Sequence, residues 1–238
     1  MKALVLAAGK GARMMPLTEE KPKAMVQLNG KPLLEHVLKE VEKAGISECG
    51  IVIGYKGEKI RSYFGDSYKG MKLKYFVQEP QLGTAHAVAT AEEWLKEDFL
   101  LLSSDVLVEW PLLERLSQKK GFAAVLSLRH DDFPERYGVV ETDNNKVKKI
   151  IEKPDCTPEN AFVNAGIYRF SPKIFEAIRK TKKSRRNEFE LTDSIRILLE
   201  SNEKVGFIEV SGPCLDIGSI EDLQRAEKAA WKKPSIKF

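Results

Sequence analysis

The sequence predicts an α/β fold, with a mixed, mainly parallel sheet flanked by helices. Three observations carry this expectation. A short apolar strand runs straight into a glycine-rich loop at the start of the chain. Strand-like runs then alternate with helix-like ones as far as Ser103. Three of the strand ends carry Gly9, Gln78 and Asp105, which such a sheet gathers along one edge.

Taken in order, residues 3–6 read as the first strand. Leu33, Leu34, Val37, Leu38 and Val41 recur at helical spacing, so 33–44 is a helix, stopped by Gly45. Residues 50–54 form a short buried strand and 59–64 a short helix. Residues 73–78 are a strand, 84–95 a helix opening after Gly83, and 99–103 a strand followed by Asp105. The second half is less regular. Strands are expected at 123–128, 138–141 and 147–152, with Asp143, Asn144 and Asn145 as the clearest turn. Another strand follows at 165–170, an amphipathic segment at 189–199, a strand at 205–210 and a helix at 220–231. The basic stretch 180–186 contains no aromatic residue and reads as a solvated loop.

With 238 residues, no long linker and no internal repeat, one domain carrying an inserted region is expected. A net charge of +4 argues against nucleic acid as a partner and mildly favours small anions. Cys49, Cys156 and Cys214 are far apart and form no CxxC pair, which speaks against a disulfide framework or a zinc site. The apolar run 3–8 is too short for a signal peptide, and no run approaches a membrane span. A cytoplasmic protein without a membrane partner is the expectation.

The first loop, Gly9-Lys10-Gly11-Ala12-Arg13, decides the chemistry. Gly9 and Gly11 let backbone N–H groups approach a phosphate, and Lys10, Arg13, Lys21 and Lys23 add positive charge. The P-loop pattern G-x-x-x-x-G-K-[ST] is absent. The dinucleotide pattern G-x-G-x-x-G fails at its third glycine, where Met14 stands, and Pro16 interrupts the helix that should begin there. What remains is a loop that wraps a triphosphate without a helix directly behind it.

The run from Leu6 to Thr18, followed by Lys23-Ala-Met-Val-Gln-Leu-Asn-Gly-Lys-Pro, resembles the signature of the sugar-1-phosphate nucleotidyltransferases. It departs from the usual form at Ala12, Met14 and Ala24. The resemblance covers nearly the whole chain. It implies the nucleotide-diphospho-sugar transferase type of Rossmann-like sheet, with a nucleotide part at about 1–120, an inserted sugar-binding part at about 121–218, and a C-terminal helix and tail at 219–238. Leu6, Ala7, Ala8, Gly9 and Gly11 would hold the nucleotide, together with Gln78, Gly83 and Thr84 from a segment similar to the base-recognition stretch of uridylyl- and thymidylyltransferases. An amide at Gln78 offers one donor and one acceptor, as a uracil edge demands. His86, on the helix that follows, reads as structural.

Ser103-Ser104-Asp105 and Leu215-Asp216-Ile217-Gly218 resemble the two metal-carrying segments, which makes Asp105 and Asp216 the expected ligands of Mg²⁺. The usual glycine is Ser104 and the usual tryptophan is Cys214. Arg136-Tyr137-Gly138 and Glu152-Lys153-Pro154 match the sugar-binding part. They imply that Gly138, Glu152, Asn164 and Gly166 hold the sugar and that Lys153 reaches its phosphate. Glu188 to Asp193 resembles a segment often found beside the sugar pocket.

The implied reaction needs no general base, because the attacking phosphate is already ionised. Catalysis is then positioning plus electrostatics, with Arg13, Lys23 and Lys153 as the catalytic cations. The Gln78 segment favours UTP or dTTP, and glucose-1-phosphate or N-acetylglucosamine-1-phosphate is the expected acceptor. A mannose-1-phosphate guanylyltransferase is the alternative within the class. A non-catalytic nucleotide-sugar-binding regulatory subunit is the alternative outside it, kept open by Ser104 and Cys214. Many relatives carry an added β-helix for which too few residues follow, so a single activity is expected. Relatives are often dimers or tetramers, which allows a homo-oligomer.

Overall fold

The first strand (β1, Lys2–Leu6) is buried on both faces and runs through the middle of the protein. In the computed structural model, residues 1–157 and 161–228 are described. After β1 come β2 (Gln27–Leu28), β3 (Lys31–Pro32), α1 (Leu33–Lys43), β4 (Glu48–Ile53), α2 (Gly57–Phe64), β5 (Ser67–Tyr68), β6 (Met71–Val77), α3 (Thr84–Ala89) and β7 (Phe99–Ser103). The chain continues through β8 (Val106–Val108), α4 (Trp110–Gln118), β9 (Ala124–His130), β10 (Gly138–Asp143), β11 (Lys146–Glu152) and β12 (Phe162–Phe170). It then forms α5 (Lys173–Lys180), α6 (Leu191–Glu200), β13 (Val205–Glu209), β14 (Cys214–Asp216) and α7 (Ile220–Lys228).

Ten strands form one sheet in the order β10-β11-β13-β9-β12-β7-β1-β4-β6-β5. Strands β7, β1, β4 and β6 are mutually parallel, so Leu6, Ser103, Ile53 and Val77 end along one edge. Antiparallel pairing enters with β12, which lies between β7 and β9, and continues into the β10–β11 hairpin. The sheet is therefore mixed, with its parallel block in the first half of the chain.

The period of two along β1 sorts side chains to two cores. Ala3 and Val5 face the layer built by α1, α2, α4 and α7, while Leu4 faces α3, α5 and α6. Leu100 and Leu102 of β7 join the first layer, and Phe99 and Leu101 the second. Each fully buried Leu in such a layer contributes roughly 1.5–3 kcal/mol.

Several elements differ from the sequence expectation. The helix expected at 84–95 ends at Ala89, and the next turns are closed by bonds such as Ala91 N to Val88 O (3.1 Å) and Glu92 N to Ala89 O (3.1 Å). Thr90 Oγ1 also donates to Ala87 O at 2.7 Å, a local side-chain bond that competes with helix propagation. Strand β12 begins earlier than expected, and its pairing with β9 shifts between Asn164 and Tyr168. Elements β8, α4, α5 and β14 had no counterpart in the reading of the sequence. The C-terminal helix is present as α7; its expected continuation over 229–231, and the tail beyond, lie outside the described residues.

Gly83 ties the two halves of the sheet together. It has φ +112°, and a Cβ there would lie 2.6 Å from Phe189 O and 2.7 Å from Phe189 N. Phe189 N donates to Leu82 O (2.7 Å) and Ala85 N donates to Phe189 O (2.9 Å), so neither backbone can retreat without losing a bond. Gly83→Ala is expected to cost on the order of 2 kcal/mol or more in urea unfolding, through both the clash and the positive φ. Gly9→Ala, with nothing within 4 Å of its Cβ position, is expected to stay within about 0.5 kcal/mol of the parent. Equal stability of the two variants would contradict this account of the Gly83 contact.

Candidate active site

The glycine-rich loop leaves β1 and makes a one-turn helix at Ala12–Met14. Gly11 takes φ +71°, and its carbonyl accepts from Met14 N (2.9 Å) and Thr18 Oγ1 (2.9 Å). Met14 is driven fully into the core, which turns its neighbour Arg13 outward. A Cβ at Gly218 would lie 3.3 Å from Arg13 Nη2, so the arginine reaches the turn between β14 and α7. The far side of the loop is held from α2 and the residues before it. Tyr55 OH (2.9 Å) and Lys56 Nζ (2.7 Å) donate to Glu19 O, and Lys59 Nζ donates to Glu20 O. A second single turn, Lys23–Met25, brings Lys23 into an ion pair with Asp105.

The two aspartates are adjacent because β14 pairs antiparallel with β8. Asp216 stands opposite Val106, and Ile217 N donates to Asp105 O at 2.9 Å. Burial, then the neighbouring Asp105 carboxylate, push the Asp216 carboxyl up to about 6, with Lys23 and Arg129 pulling the other way. This small site has room for more positive charge. No group of three or more His, Cys, Asp and Glu gathers among the described residues. Two carboxylates are nonetheless the protein donors that suit Mg²⁺ when phosphates supply further oxygens. Ser104 is buried, donates its N–H to Leu6 O (3.0 Å) and does not have a positive φ, so serine sits there without backbone strain. Burial pushes the Cys214 thiol up to about 11, which leaves it a poor nucleophile.

The residues expected to hold the sugar come from the β10–β11 hairpin and β12. Gly138 and Glu152 are register partners, and a Cβ at Gly138 would lie 3.3 Å from Glu152 Oε2 and 3.6 Å from Asn164 Cβ. Asn164 Nδ2 donates to Tyr168 OH, while Asn164 Oδ1 accepts from Gly166 N (3.2 Å) in the irregular stretch of β12. Lys153 holds φ +45°, unusual for a lysine, fixed by its N–H bond to Tyr137 O at 3.0 Å. Burial raises the Glu152 carboxyl above its usual range, opposed chiefly by Arg186, whose guanidinium donates to Glu152 Oε1 (3.2 Å) and Glu190 Oε1 (2.7 Å).

One cavity of about 500 Å³ collects these groups. Leu6, Arg13, Thr84, Asp105, Gly138, Glu152, Lys153, Asn164 and Asp216 all line it. Lys23 joins through its pair with Asp105, and Gly83 stands next to Thr84. Ala7 and Ala8 are buried and do not line the cavity, nor does Gly166; Gly9 and Gly11 lie on the loop that leads to it. Gln78 is 4% exposed and not on the wall. Gly83 O can only accept, so the Gln78 amide nitrogen faces it at 2.8 Å, and the same nitrogen contacts His86 Nδ1 at 3.2 Å. The donor half of Gln78 is thus used inside the protein, and His86 has the partner that the sequence did not supply. Arg186 stands apart from the solvated loop expected at 180–186. It folds inward because Ser184 N bonds Glu188 O (2.8 Å) and Phe189 N bonds Leu82 O, which reverses the chain over the sugar side. No local spacing in the sequence signals that reversal.

The Asp216 shift has a consequence for stability. Its folded-state carboxyl, near 6, lies above the ordinary value of 3.8, so the folded protein holds this proton more tightly than the unfolded chain. Ionisation therefore costs folded-state stability as pH rises through about 6, and the cost is relieved as pH falls toward 5. In a chelator, Asp216→Asn is expected to raise stability at pH 7.5 by on the order of 2 kcal/mol and to flatten the pH dependence between pH 5 and 7.5. Thermal unfolding at both pH values checks this; a variant less stable than the parent at pH 7.5 would refute it.

The comparisons agree with this fold. The nucleotidyl transferase family profile matches residues 2–233. The chain is similar to the UTP–glucose-1-phosphate uridylyltransferase AglF of Haloferax volcanii, 40% identical over 233 residues, with 96% of each chain covered. It is also similar to the bifunctional protein GlmU of Methanocaldococcus jannaschii, 40% identical over 229 residues, which cover 96% of this chain and 54% of that protein. The chain thus spans about half the length of such GlmU relatives. Among solved structures, a UDP-glucose pyrophosphorylase complexed with UDP-glucose superposes with a TM-score of 0.86 at 27% identity, covering 98% of both chains. Fold, site and profile together place the chain in the nucleotidyl transferase family.

Proposed function

We propose that this protein transfers a nucleotidyl group from UTP or dTTP to glucose-1-phosphate or N-acetylglucosamine-1-phosphate, giving an NDP-sugar and pyrophosphate. The observation that carries this reading is the convergence, on one cavity, of Arg13 from the first loop, Asp105 and Asp216 from β8 and β14, and Glu152 and Lys153 from the hairpin. Similarity to AglF, whose name states uridylyl transfer to glucose-1-phosphate, supports the same choice of substrates.

An ionised oxygen of the sugar phosphate attacks the α-phosphorus. A new phosphorus–oxygen bond forms there, the bond to the β-phosphate oxygen breaks, and pyrophosphate leaves with the electron pair. Arg13 stabilises charge on the departing phosphates and Lys153 neutralises the incoming one. Lys23, paired with Asp105, would add positive charge at the α-phosphate. Asp105 and Asp216 would hold Mg²⁺, which when bound supplies charge neutralisation to phosphate oxygens. Glu152 and Asn164 present acceptors and donors suited to sugar hydroxyls. Thr192, buried on the same wall beside Glu152, adds another polar group for a polyhydroxyl ligand. With the Gln78 amide nitrogen already used, its oxygen is the group left to accept from a base. Uracil and thymine offer an N3–H there, whereas cytosine does not.

Pyrophosphate release with Mg²⁺, the common triphosphates and a panel of sugar-1-phosphates tests the reading. Release is expected with UTP or dTTP and a gluco-configured acceptor. Release only with GTP and mannose-1-phosphate, or with no pair at all, would overturn it. Arg13→Ala and Asp105→Asn are each expected to lower turnover by about 100-fold or more with thermal unfolding little changed. Parent-like turnover in either would remove that residue from its assigned role.

A further inference from the structure

Two further cavities open onto the central one, share no lining residue with each other, and carry opposite charge. The first, of about 980 Å³, meets the site at Arg136, Tyr137, Asp216 and Asp222. Its wall holds three arginines (Arg129, Arg136 and Arg225) against five carboxylates (Asp131, Asp132, Glu135, Asp216 and Asp222). The second is a groove of about 860 Å³ that meets the site at Glu152, Lys153, Arg186 and Glu190. Its wall holds seven cations and five carboxylates, but their pairing is uneven. Arg186 pairs with Glu152 and Glu190, and Arg196 pairs with Asp193 and Glu200. Among the described residues, Lys153, Lys180, Lys182, Lys183 and Arg185 have no ion-pair partner, and Asp155 is the one carboxylate left over. Seven cations against five carboxylates leave this groove two positive charges in surplus, and the cations without an ion pair are gathered at its 180–185 side and at Lys153.

Such a surplus has a cost in mutual repulsion, and no structural contact explains it. Lys180, Lys182, Lys183 and Arg185 are exposed, and of their side chains only Lys183 packs on a neighbour, the Phe189 ring at 5.8 Å. The unpaired cations run from the end of α5 through the 181–186 connection, and the groove they line shares Lys153 with the central cavity. A cleft lined by one sign of charge focuses the field and raises the local concentration of a ligand of opposite sign.

We infer that the groove between α6 and the β11 end, lined by Lys180, Lys182, Lys183 and Arg185, is an electrostatic entry for the sugar-1-phosphate dianion, which it delivers to Lys153. This inference rests on the proposed function and adds the route by which one of its two substrates arrives. The carboxylate-rich cavity on the other flank repels the same dianion, so the pair of cavities gives the site a direction. The four cations act before the chemical step and touch no reacting atom; they are steering residues.

Steady-state kinetics across ionic strength test it. The probe is glucose-1-phosphate or whichever sugar-1-phosphate the parent enzyme turns over, with the triphosphate as the internal control. The variants are the triple charge reversal Lys180→Glu, Lys182→Glu, Arg185→Glu and the milder Lys180→Gln, Lys182→Gln, Arg185→Gln. At about 20 mM salt the reversal is expected to lower kcat/KM for the sugar-1-phosphate by roughly 10-fold, and the neutral variant by less. At about 500 mM salt, where the Debye length is only a few ångströms, all three proteins are expected to converge. The maximal turnover and the KM for the triphosphate are expected to stay at parent values throughout. A loss that salt does not relieve, an equal loss for both substrates, or no loss at all would overturn the inference. Should the reversal fail to fold, the neutral variant decides by the same salt slope. A parent enzyme that turns over no sugar-1-phosphate overturns the proposed function itself, an outcome distinct from an active parent whose variants keep its salt dependence.

Discussion

Two carboxylates held against each other organise this molecule. Asp105 and Asp216 are brought together by the short β8–β14 ladder and by the Ile217 N–H bond to Asp105 O. Burial first, and that approach second, raise the Asp216 carboxyl, and cations built around the pair oppose the rise. Lys23 pairs with Asp105, Arg129 lies on the far side of Asp216, and Arg13 reaches the following turn. Each of these comes from a different element. The first loop, β9 and the β14–α7 turn must therefore all be in place before the carboxylates can stand where they do. Two carboxylates so placed are donors of the kind that suit Mg²⁺ when phosphates supply further oxygens.

A second constraint joins the halves of the protein. The 184–190 connection binds Leu82 and Ala85 through the backbone of Phe189, and Leu191 N donates to Thr84 Oγ1 at 2.9 Å. The segment that carries Gln78 and Thr84 is thereby fastened to the segment that carries Arg186, Glu190 and Thr192. Nucleotide-side and sugar-side groups are positioned by one shared set of hydrogen bonds. A reaction that consists of aligning two polyanions gains from such a link, since a displacement of one side relative to the other would spoil the in-line geometry.

The parallel block was legible in the sequence for a simple reason. The apolar runs of β1, β4 and β7 are buried on both faces, and such runs stand out against any background. Of the strand-end residues expected along that edge, Asp105 lines the cavity, whereas Gln78 is turned inside the protein and Gly9 lies on the loop that leads to it. What escaped was set by contact rather than by pattern. Helix α4 has Leu112, Leu113 and Leu116 at helical spacing, with Pro111 in its first turn, but it follows a strand only three residues long and left no room for a clear boundary. Helix α5 was overlooked beside the basic stretch that ends it, although Ile174, Phe175 and Ala177 share its buried face. Arg186 looked like one more surface cation, and only the reversal of the chain at 184–189 turns it toward Glu152. Gln78 shows the opposite case. Its residue type suggested a group facing a ligand, yet the structure uses its amide nitrogen inside the protein, against Gly83 O and His86 Nδ1, which no linear spacing could reveal.

Charge placement, rather than any reactive side chain, is what distinguishes this site. The Cys214 thiol is held protonated by burial, and the His86 Nδ1 contacts the Gln78 amide nitrogen. A phosphate that arrives ionised requires neither a nucleophilic thiol nor a general base. What it requires is a sequence of cations met in the right order. The unpaired lysines and arginine of the basic groove come first, then Lys153 with its fixed left-handed backbone, then Lys23 and Arg13 beyond the carboxylates. Because the outer cations are exposed, their attraction is screened and weak, which suits capture and release. Because Lys23 is enclosed, its attraction is stronger and local, which suits the step where charge is redistributed between the α-phosphate and the leaving group. The gradient from exposed to enclosed charge is thus the same gradient that separates binding from catalysis.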